Sequence, residues 1–314
     1  MAADRPAKSV VRLVWMETAI TVHKGFPQDD VPLYLTLGGA EGRDIHLLAE
    51  QGIIHLTEVG GLAELSQRRV VAVESSPMAV ATLQRKLPGL KILEIAIGAL
   101  VRGEGPTTFP TGEHEYCCRA RIINLDLNSM LTPKTDNGHI TFPVLTWIRK
   151  FSQLHAKRPR VNWTLLLTLH GEIKWDAVTA KSVEQFLAEN FRREPEFAAK
   201  CNGLLGDALY QAIVAGTSDF STLSRTTQQK VLMAFVPKKL AQITQSDGWR
   251  VDTRRNIYYG EEGEAPMVTW VLDFITDGRI ASVPEQVYRE SLRTVLSGVA
   301  FISAQGALTE IDLS

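Results

Sequence analysis

A glycine-rich turn between an apolar strand and a helix constrains this chain more than any other stretch does. Residues 33–37 form a short apolar run rich in strand-forming side chains, and residues 43–50 have the composition of a helix. The turn between them, residues 38–42, has the sequence Gly-Gly-Ala-Glu-Gly. Glycines at such a turn let backbone N–H groups approach a ligand, and the N-terminus of the following helix adds partial positive charge. The stretch therefore predicts an α/β fold with a ligand bound at the turn.

An acidic residue follows the second predicted strand. Residues 69–73 form this strand, and Glu74 and Ser75 come directly after it. In a parallel sheet, a carboxylate at the carboxyl end of the neighbouring strand accepts hydrogen bonds from both hydroxyls of a ribose. We therefore expect a cofactor that contains a nucleoside, with Glu74 and Ser75 among the residues that bind it.

The spacing of the glycines argues against a dinucleotide. The Gly-x-Gly-x-x-Gly/Ala pattern of NAD-binding folds, placed on Gly38, requires a glycine at position 40 and a small residue at position 43. The chain has Ala40 and Arg43 at these positions. Glu41 also adds negative charge where a pyrophosphate would lie. An NAD-dependent enzyme is therefore the rival hypothesis rather than the leading one.

A looser pattern, Gly-x-Gly-x-Gly, fits the turn better, because Gly38 and Gly42 match it and Ala40 is small. The turn resembles motif I of the class I methyltransferases that use S-adenosylmethionine (SAM). The resemblance implies that Gly38, Gly39 and Gly42 lie at the methionine and ribose of SAM. The chain departs from the family at Thr36, where an acidic residue that contacts the methionine amino group is usual.

The region of the third strand carries a second resemblance. Residues 90–97 are predicted to form this strand. The phrase Ile-Ala-Ile-Gly at 95–98, followed by glycines and by Phe109, resembles the third-strand region of FkbM-type methyltransferases. This resemblance implies that Ile97 lies against the adenine of the cofactor.

Polar residues end the fourth strand, which is predicted over residues 119–127. Its carboxyl end is expected beside that of the first strand, where a methyl donor would lie. Asp126 and Asn128 are therefore the candidate catalytic residues; either orients the acceptor, and Asp126 can also remove its proton. Neither proline nor an aromatic residue follows, so a pocket that stacks a flipped base is not evident. The arrangement of the insert, Asp126 and a terminal hairpin with Tyr258 and Tyr259 also resembles the three-Cys-motif partner group of methyltransferase-fold proteins, which usually has proline in place of Leu127.

Two further groups of reactive side chains carry weaker signals. Cys117 and Cys118 are adjacent, and the chain has no Cys-x-x-Cys pair, so we expect no metal site. His170 follows the fifth strand, predicted over residues 162–169, and is a candidate general base for which the sequence names no partner.

The composition is that of an ordinary globular protein, with 45% hydrophobic residues, 22% charged residues and a formal net charge of −1. No global field therefore draws the chain to nucleic acid or to a membrane. No apolar run approaches the ~20 residues of a membrane span. The 3 cysteines suit a reducing compartment. We therefore expect a cytoplasmic protein without a membrane partner.

The order of the predicted elements indicates one large domain with additions at both ends. Two strands around Gly260 are expected to form an antiparallel hairpin that closes the sheet. The predicted segments are an N-terminal cap at 1–30, a methyltransferase-like α/β domain at 31–283 with a helical insert at about 176–225, and a C-terminal helix and tail at 284–314.

Together these patterns predict a Rossmann-like, doubly wound, mostly parallel sheet with a terminal antiparallel hairpin and a helical insertion. By resemblance, the expected activity is SAM-dependent transfer of a methyl group to a nitrogen or oxygen acceptor, with nucleic acid and small molecules both open as substrates. The alternative is a methyltransferase fold that no longer catalyses and serves in binding or assembly. The absence of an acid at Thr36 and the presence of Ala40 favour this alternative.

Overall fold

The computed structural model describes residues 5–25, 31–103, 113–136, 139–157, 159–172, 175–260, 265–276 and 295–313. Within these ranges the chain is a mixed α/β fold. Its helices are α1 (Pro6–Gly25), α2 (Arg43–Glu50), α3 (Glu64–Gln67), α4 (Pro77–Lys86), α5 (Ile97–Arg102), α6 (Glu113–Cys118), α7 (Pro143–Ala156), α8 (Ala177–Arg193), α9 (Pro195–Leu205), α10 (Asp207–Ala215) and α11 (Arg225–Gln245). Its strands are β1 (Tyr34–Leu37), β2 (Val70–Glu74), β3 (Lys91–Glu94), β4 (Ile122–Met130), β5 (Lys134–Asp136), β6 (His139–Thr141), β7 (Trp163–His170), β8 (Trp249–Tyr259), β9 (Met267–Thr276), β10 (Val299–Ile302) and β11 (Leu308–Glu310).

The chain divides into two compact units. We call the first the glycine-turn unit; it comprises Val11–Asp126 and Gln153–Leu166. The second, the hairpin unit, comprises Met1–Val10, Leu127–Ser152 and Leu167–Ser314. Strands β4 and β7 run through both units, so each unit contains a part of these two strands.

The glycine-turn unit contains the strand order β7-β4-β1-β2-β3. Strand β1 pairs in parallel with both β2 and β4, and β2 pairs in parallel with β3. The chain leaves β1 towards β2 and β3 and later returns on the other side of β1 as β4. The direction of winding therefore reverses at β1, and the glycine turn follows the carboxyl end of that strand.

Strands β1 and β2 of this unit are buried on both faces, as central strands of a parallel sheet are, whereas the edge strand β3 is partly exposed. Tyr34 and Leu35 of β1 are 0% exposed, and Val70–Val73 of β2 are at most 2% exposed. The β-branched side chains of β2 pack well on a pleated surface, which favours a strand here. These central strands lie where the sequence predicts them, to within one residue.

The hairpin unit contains the strand order β11-β10-β8-β9-β7-β4. Strands β8 and β9 pair antiparallel, from Trp249 opposite Thr276 to Tyr259 opposite Met267. The predicted antiparallel pair is therefore present, although its connecting residues 261–264 lie outside the described part of the chain. Strand β10 pairs in parallel with β8, and β11 pairs antiparallel with β10.

Helices and strands also fill the segments predicted as additions. Helix α1 lies within the predicted N-terminal cap, and α8, α9 and α10 occupy the predicted helical insert. Strands β10 and β11 lie within the segment predicted as a C-terminal helix and tail, and most of the predicted helix falls on residues 277–294, outside the described ranges. The fold is thus mixed α/β with a mostly parallel central sheet and additional antiparallel strands.

Candidate functional site

Glycine is needed at the positions of the turn for different structural reasons. Gly39 and Gly42 have φ angles of 51° and 55°, a left-handed conformation that glycine adopts without strain. A Cβ on Gly38 would lie 2.7 Å from Leu83 Cδ2 of α4, and a Cβ on Gly42 would lie 2.7 Å from Leu87 Cδ1. Gly38 and Gly42 therefore pack against α4, a role that the ligand hypothesis did not foresee. Gly39 has nothing within 4 Å of its Cβ position, so the turn is open on that side.

Glu74 lies beside this turn. The Gly38 N–H donates to the Val73 carbonyl at 3.1 Å, which joins the turn directly to the end of β2. Glu74 is half-buried, and its Oε1 accepts a hydrogen bond from the Ser76 N–H at 2.8 Å. Ser75 is exposed. The structure therefore places a carboxylate at the carboxyl end of the strand that adjoins the glycine turn, with Ser75 next to it at the surface.

The prediction for Ile97 was wrong about its element. Strand β3 ends at Glu94, and Ile97 is the first residue of helix α5. The Ile95 N–H donates both to the Glu74 carbonyl of β2 at 3.1 Å and to the Leu93 carbonyl at 2.9 Å, so the chain turns directly after β3. The apolar residues that follow serve the buried side of a short helix, in which Leu100 is 0% exposed. A short apolar run has the same composition in a buried strand and in a buried helical turn, so the sequence does not separate them.

Asp126 lies on β4 at the level of the glycine turn, and β4 is longer than predicted. Thr36 of β1 is in register with Asn124 of β4. Asp126 is two residues further along, and it shares a sheet face with Asn124 and Thr36 because side chains alternate along a strand. Polar and apolar residues alternate through this end of β4, which extends the strand past the predicted boundary. The backbone of Asn128 is in β4, and its side chain lies outside the described part of the structure.

A buried polar network joins four elements of the glycine-turn unit to one another, and it was not predicted. Asp44, in the first turn of α2, accepts hydrogen bonds at Oδ2 from the Thr36 hydroxyl at 3.2 Å and from Asn124 Nδ2 at 2.8 Å. Asn124 Nδ2 also donates to the Tyr34 hydroxyl oxygen at 2.9 Å. Arg12 of α1 lies with Nε 3.4 Å from Asp44 Oδ1. One carboxylate thus links α1, α2, β1 and β4.

Burial makes this network electrostatically strong. Tyr34 and Asn124 are 0% exposed and Thr36 is 2% exposed, whereas the side chains of Asp44 and Arg12 are each 13% exposed. Burial raises the pKa of Tyr34 well above its usual value, and the charge of Asp44 raises it further. Tyr34 is therefore a neutral phenol, and Arg12 balances the charge of the carboxylate.

The sequence did carry a signal for this network. Thr36 on β1, and Asn124 and Asp126 on β4, are polar residues at alternate positions of strands expected to be buried. A strand buried on both faces is ordinarily a continuous apolar run. Polar residues at a period of two in neighbouring strands therefore indicate a polar site on one face of the sheet. Asp44 gave no such signal, because an acid in the first turn of a helix is already explained by the helix dipole.

Glu41, the acidic residue of the turn, forms an ion pair with α4. The Glu41 carboxylate lies 2.6 Å from Lys86 Nζ. This hydrogen bond and the charge of Lys86 lower the pKa of Glu41. The pair is about two-fifths exposed on both sides, so it fixes the turn to α4 and contributes little to stability.

His170 has a partner in the hairpin unit that the sequence did not reveal. It is the last residue of β7, with Nδ1 3.9 Å from one carboxylate oxygen of Glu172. The other oxygen lies 2.7 Å from Arg225 Nε. Gly171 is held between them by donation of its N–H to the Pro266 carbonyl at 2.7 Å. The distance between the two side chains is too long for a hydrogen bond, and His170 Nδ1 accepts instead from the backbone N–H of Glu172 at 3.4 Å, so the structure does not show an assembled acid–base pair.

The adjacent cysteines belong to the core. Cys117 and Cys118 of α6 are 0% exposed, and burial raises the pKa of the Cys118 thiol. A buried neutral thiol behaves as a small apolar side chain. Across the described ranges, no three His, Cys, Asp or Glu side chains come together in an arrangement that could hold a metal ion.

The case for a function rests on this geometry. None of the described helices combines the length and the apolar character needed to cross a membrane. The chain matches no model of a known protein family. A comparison with curated proteins finds no similar sequence.

Proposed function

We propose that the chain is a SAM-dependent methyltransferase that transfers a methyl group to a nitrogen or oxygen acceptor. The observation that carries this proposal is that the glycine turn and Glu74 lie at the carboxyl ends of the adjacent parallel strands β1 and β2, and that Asp126 lies within β4, on the other side of β1, at the level of the turn. Strands β2 and β4 lie on opposite sides of β1, so the winding reverses there. Open α/β sheets bind their ligands in the crevice at such a reversal.

The strand order supports the Rossmann-like part of the proposal. In the glycine-turn unit the order β4-β1-β2-β3 is that of a doubly wound sheet in which the first strand is central. In the hairpin unit an antiparallel pair, β8 and β9, follows β7 in the sheet. The resemblance to class I methyltransferases implies a mostly parallel sheet with an antiparallel pair at its end; in this chain β10 and β11 follow beyond that pair.

The residues at the turn fit a nucleoside cofactor. Gly39 has a positive φ and open space at its Cβ position, so the backbone of the turn can approach a ligand on that side. The Glu74 carboxylate beside the turn is suited to the ribose hydroxyls. The residues proposed to hold the cofactor are Gly38, Gly39, Gly42, Glu74, Ser75 and, at the start of α5 rather than on a strand, Ile97.

Methyl transfer from SAM requires few catalytic groups from the protein. SAM, when bound, supplies a methyl group on a sulfonium that is already a good leaving group. The protein must then align the acceptor and remove one proton from it. Asp126 carries a carboxylate at the level of the turn that can accept a hydrogen bond from the acceptor N–H or O–H and then take its proton. Asn128, the other candidate, follows it in β4.

A binding or assembly protein without catalysis is the second candidate function. Gly38 and Gly42 have a packing reason against α4 that holds with or without a ligand. Strand β1 carries Thr36 where methyltransferases of this class usually have an acid. Both observations are compatible with a fold that kept its turn and lost its cofactor.

Calorimetric titration of the full chain with SAM, and separately with NAD, tests the proposal. We expect saturable micromolar binding of SAM and none of NAD. Glu74→Gln should weaken SAM binding by about tenfold or more, because hydrogen bonds to a charged acceptor are lost. Glu94→Gln is the matched control, because Glu94 lies in register with Glu74 on β3 and is exposed. It should leave the affinity unchanged within about twofold.

The two candidates give different results in this experiment. Absence of heat with SAM up to millimolar concentration would contradict the enzyme hypothesis and favour the binding or assembly protein. Binding of NAD in place of SAM would contradict the choice of cofactor. Equal effects of Glu74→Gln and Glu94→Gln would contradict the position assigned to the ribose.

A further inference from the structure

The network beneath the glycine turn contains a hydrogen-bond acceptor that no described residue satisfies. Asn124 Oδ1 is buried and has no hydrogen-bond partner within the described ranges. The orientation of the amide follows from its neighbours: Nδ2 lies against Asp44 Oδ2 and the Tyr34 hydroxyl, and an ionised carboxylate can only accept. Reversing the amide would set its oxygen against the carboxylate. An additional hydrogen-bond donor would therefore satisfy Asn124 Oδ1.

Asp44 of α2 places a carboxylate next to Thr36, a position of β1 that has no acidic side chain. The Thr36 hydroxyl donates to Asp44 Oδ2, so a carboxylate from α2 adjoins the side chain of the strand position that lacks an acid. The Asp44 side chain is 13% exposed, whereas Thr36 and Asn124 are almost completely buried. Asp44 is therefore on the outer side of the network. Arg12, at Oδ1, offsets the cost of keeping a carboxylate ionised in this setting.

We propose that Asp44 recognises the ammonium group at the amino-acid end of the ligand bound at the glycine turn. This inference rests on the proposed function, because the ligand is then SAM. Two acceptors of the network, the partly exposed Asp44 carboxylate and the buried Asn124 carbonyl oxygen, suit a cationic N–H donor, and Arg12 occupies the other oxygen of the carboxylate. Asp44 thus replaces, from the neighbouring helix, the acid that Thr36 does not supply.

Two ligands that differ only at the amino-acid end test this assignment by binding alone. S-adenosylhomocysteine carries the ammonium and carboxylate groups, and 5′-methylthioadenosine has the same nucleoside and sulfur without them. Both are titrated calorimetrically into the wild-type full chain and into Asp44→Asn. We expect Asp44→Asn to weaken the binding of S-adenosylhomocysteine by about tenfold or more and to leave the affinity for methylthioadenosine unchanged within about twofold. Loss of a contact to the ligand carboxylate does not explain this pattern, because removing a negative charge from the protein does not weaken the binding of an anionic group.

Matched variants guard against an effect on folding. Glu41→Gln also removes one negative charge, from the glycine turn next to α2, but Glu41 pairs with Lys86 at 2.6 Å and takes no part in the network. It should affect the two ligands equally and by no more than about twofold. Asp44→Glu keeps the charge opposite Arg12 and displaces the carboxylate by one methylene. If Asp44→Asn does not fold, Asp44→Glu should still show a loss confined to S-adenosylhomocysteine.

Each outcome decides the assignment. A selective loss of affinity for S-adenosylhomocysteine in an Asp44 variant supports the assignment. Equal weakening of both ligands would mean that Asp44 only maintains the fold, and unchanged binding of both would remove it from the site; either result overturns the assignment. If the wild-type chain binds neither ligand, the proposed function fails and the assignment fails with it.

Discussion

Gly39 and Gly42 have nearly the same backbone conformation and very different surroundings. Both have positive φ, so alanine at either position pays the cost of a left-handed conformation, about 1–2 kcal/mol. A Cβ on Gly39 meets nothing within 4 Å, whereas a Cβ on Gly42 meets Leu83 at 2.9 Å and Leu87 at 2.7 Å. The two positions therefore separate backbone strain from packing.

We predict that Gly42→Ala lowers the free energy of unfolding by about 1–3 kcal/mol more than Gly39→Ala does, because it also overpacks the contact with α4. Urea unfolding of the two variants and the wild type measures this difference. Equal destabilisation by the two substitutions would mean that the turn does not pack on α4 as the structure has it.

The residues of the site differ in how far the sequence reveals them. Glu74 was predictable because its position follows from the end of a clear strand and needs no tertiary contact. Asp44 was not, because only the tertiary structure shows that its side chain turns towards β1 and β4 instead of capping its own helix. The positions of Gly38 and Gly42 were predictable, but their contact with α4 was not, since it depends on which helix covers the turn.

Helix α11 carries a lysine in the core of the hairpin unit. Lys238 is 0% exposed, and its Nζ lies 5.3 Å from the ring centroid of Phe197. Burial lowers the pKa of Lys238 from 10.5 to about 8, and the charge of Glu194 opposes part of this shift. The buried ammonium therefore has a lower pKa in the folded chain than in the unfolded chain.

The sign of the pH dependence follows from this difference. Between about pH 8 and pH 10.5 the unfolded chain holds the proton on this lysine while the folded chain releases it, so folding stability rises with pH across that window. Below about pH 8 both states are protonated and the cost of the buried charge is constant. We expect urea unfolding to show a gain of about 1–3 kcal/mol from this group between the two ends of the window.

A pair of variants isolates the contribution of Lys238. Lys238→Met removes the titration but leaves Glu194 buried, which is itself destabilising. The double variant Glu194→Gln/Lys238→Met removes both charges, and it should lose the rise in stability without the destabilisation of the single variant. A rise that persists unchanged in the double variant would assign the pH dependence to other groups.

At the level of elements, the sequence predicted those with a strong pattern. The buried strands β1, β2 and β7 and the hairpin strands β8 and β9 were predicted closely, because these segments are rich in the β-branched and aromatic residues that favour strands. Strand β3 was predicted too long, since the apolar residues after it pack as helix α5. Strand β11 has exposed residues throughout, so it carries no burial pattern from which a strand could be predicted.

At the scale of the whole molecule, the sequence indicated a mostly parallel sheet ended by an antiparallel pair; the structure has the mostly parallel sheet and the pair, but the pair does not end the sheet. It did not indicate β10 and β11, which extend the sheet of the hairpin unit beyond β8. The pairing of β10 with β8 joins residues far apart in the chain and depends on long-range contacts rather than on local propensity. The division into two compact units likewise follows from contacts that the order of elements does not contain.

The central claim is that SAM binds at the glycine turn of the glycine-turn unit. Hydrogen–deuterium exchange of the full chain, measured by mass spectrometry with and without saturating SAM, tests both the ligand and its place. We predict slower exchange in peptides that cover residues 38–45 and 74–76, with α8 to α10 of the hairpin unit unchanged. Exchange at the turn that does not respond to SAM, or protection confined to other elements, would contradict the account.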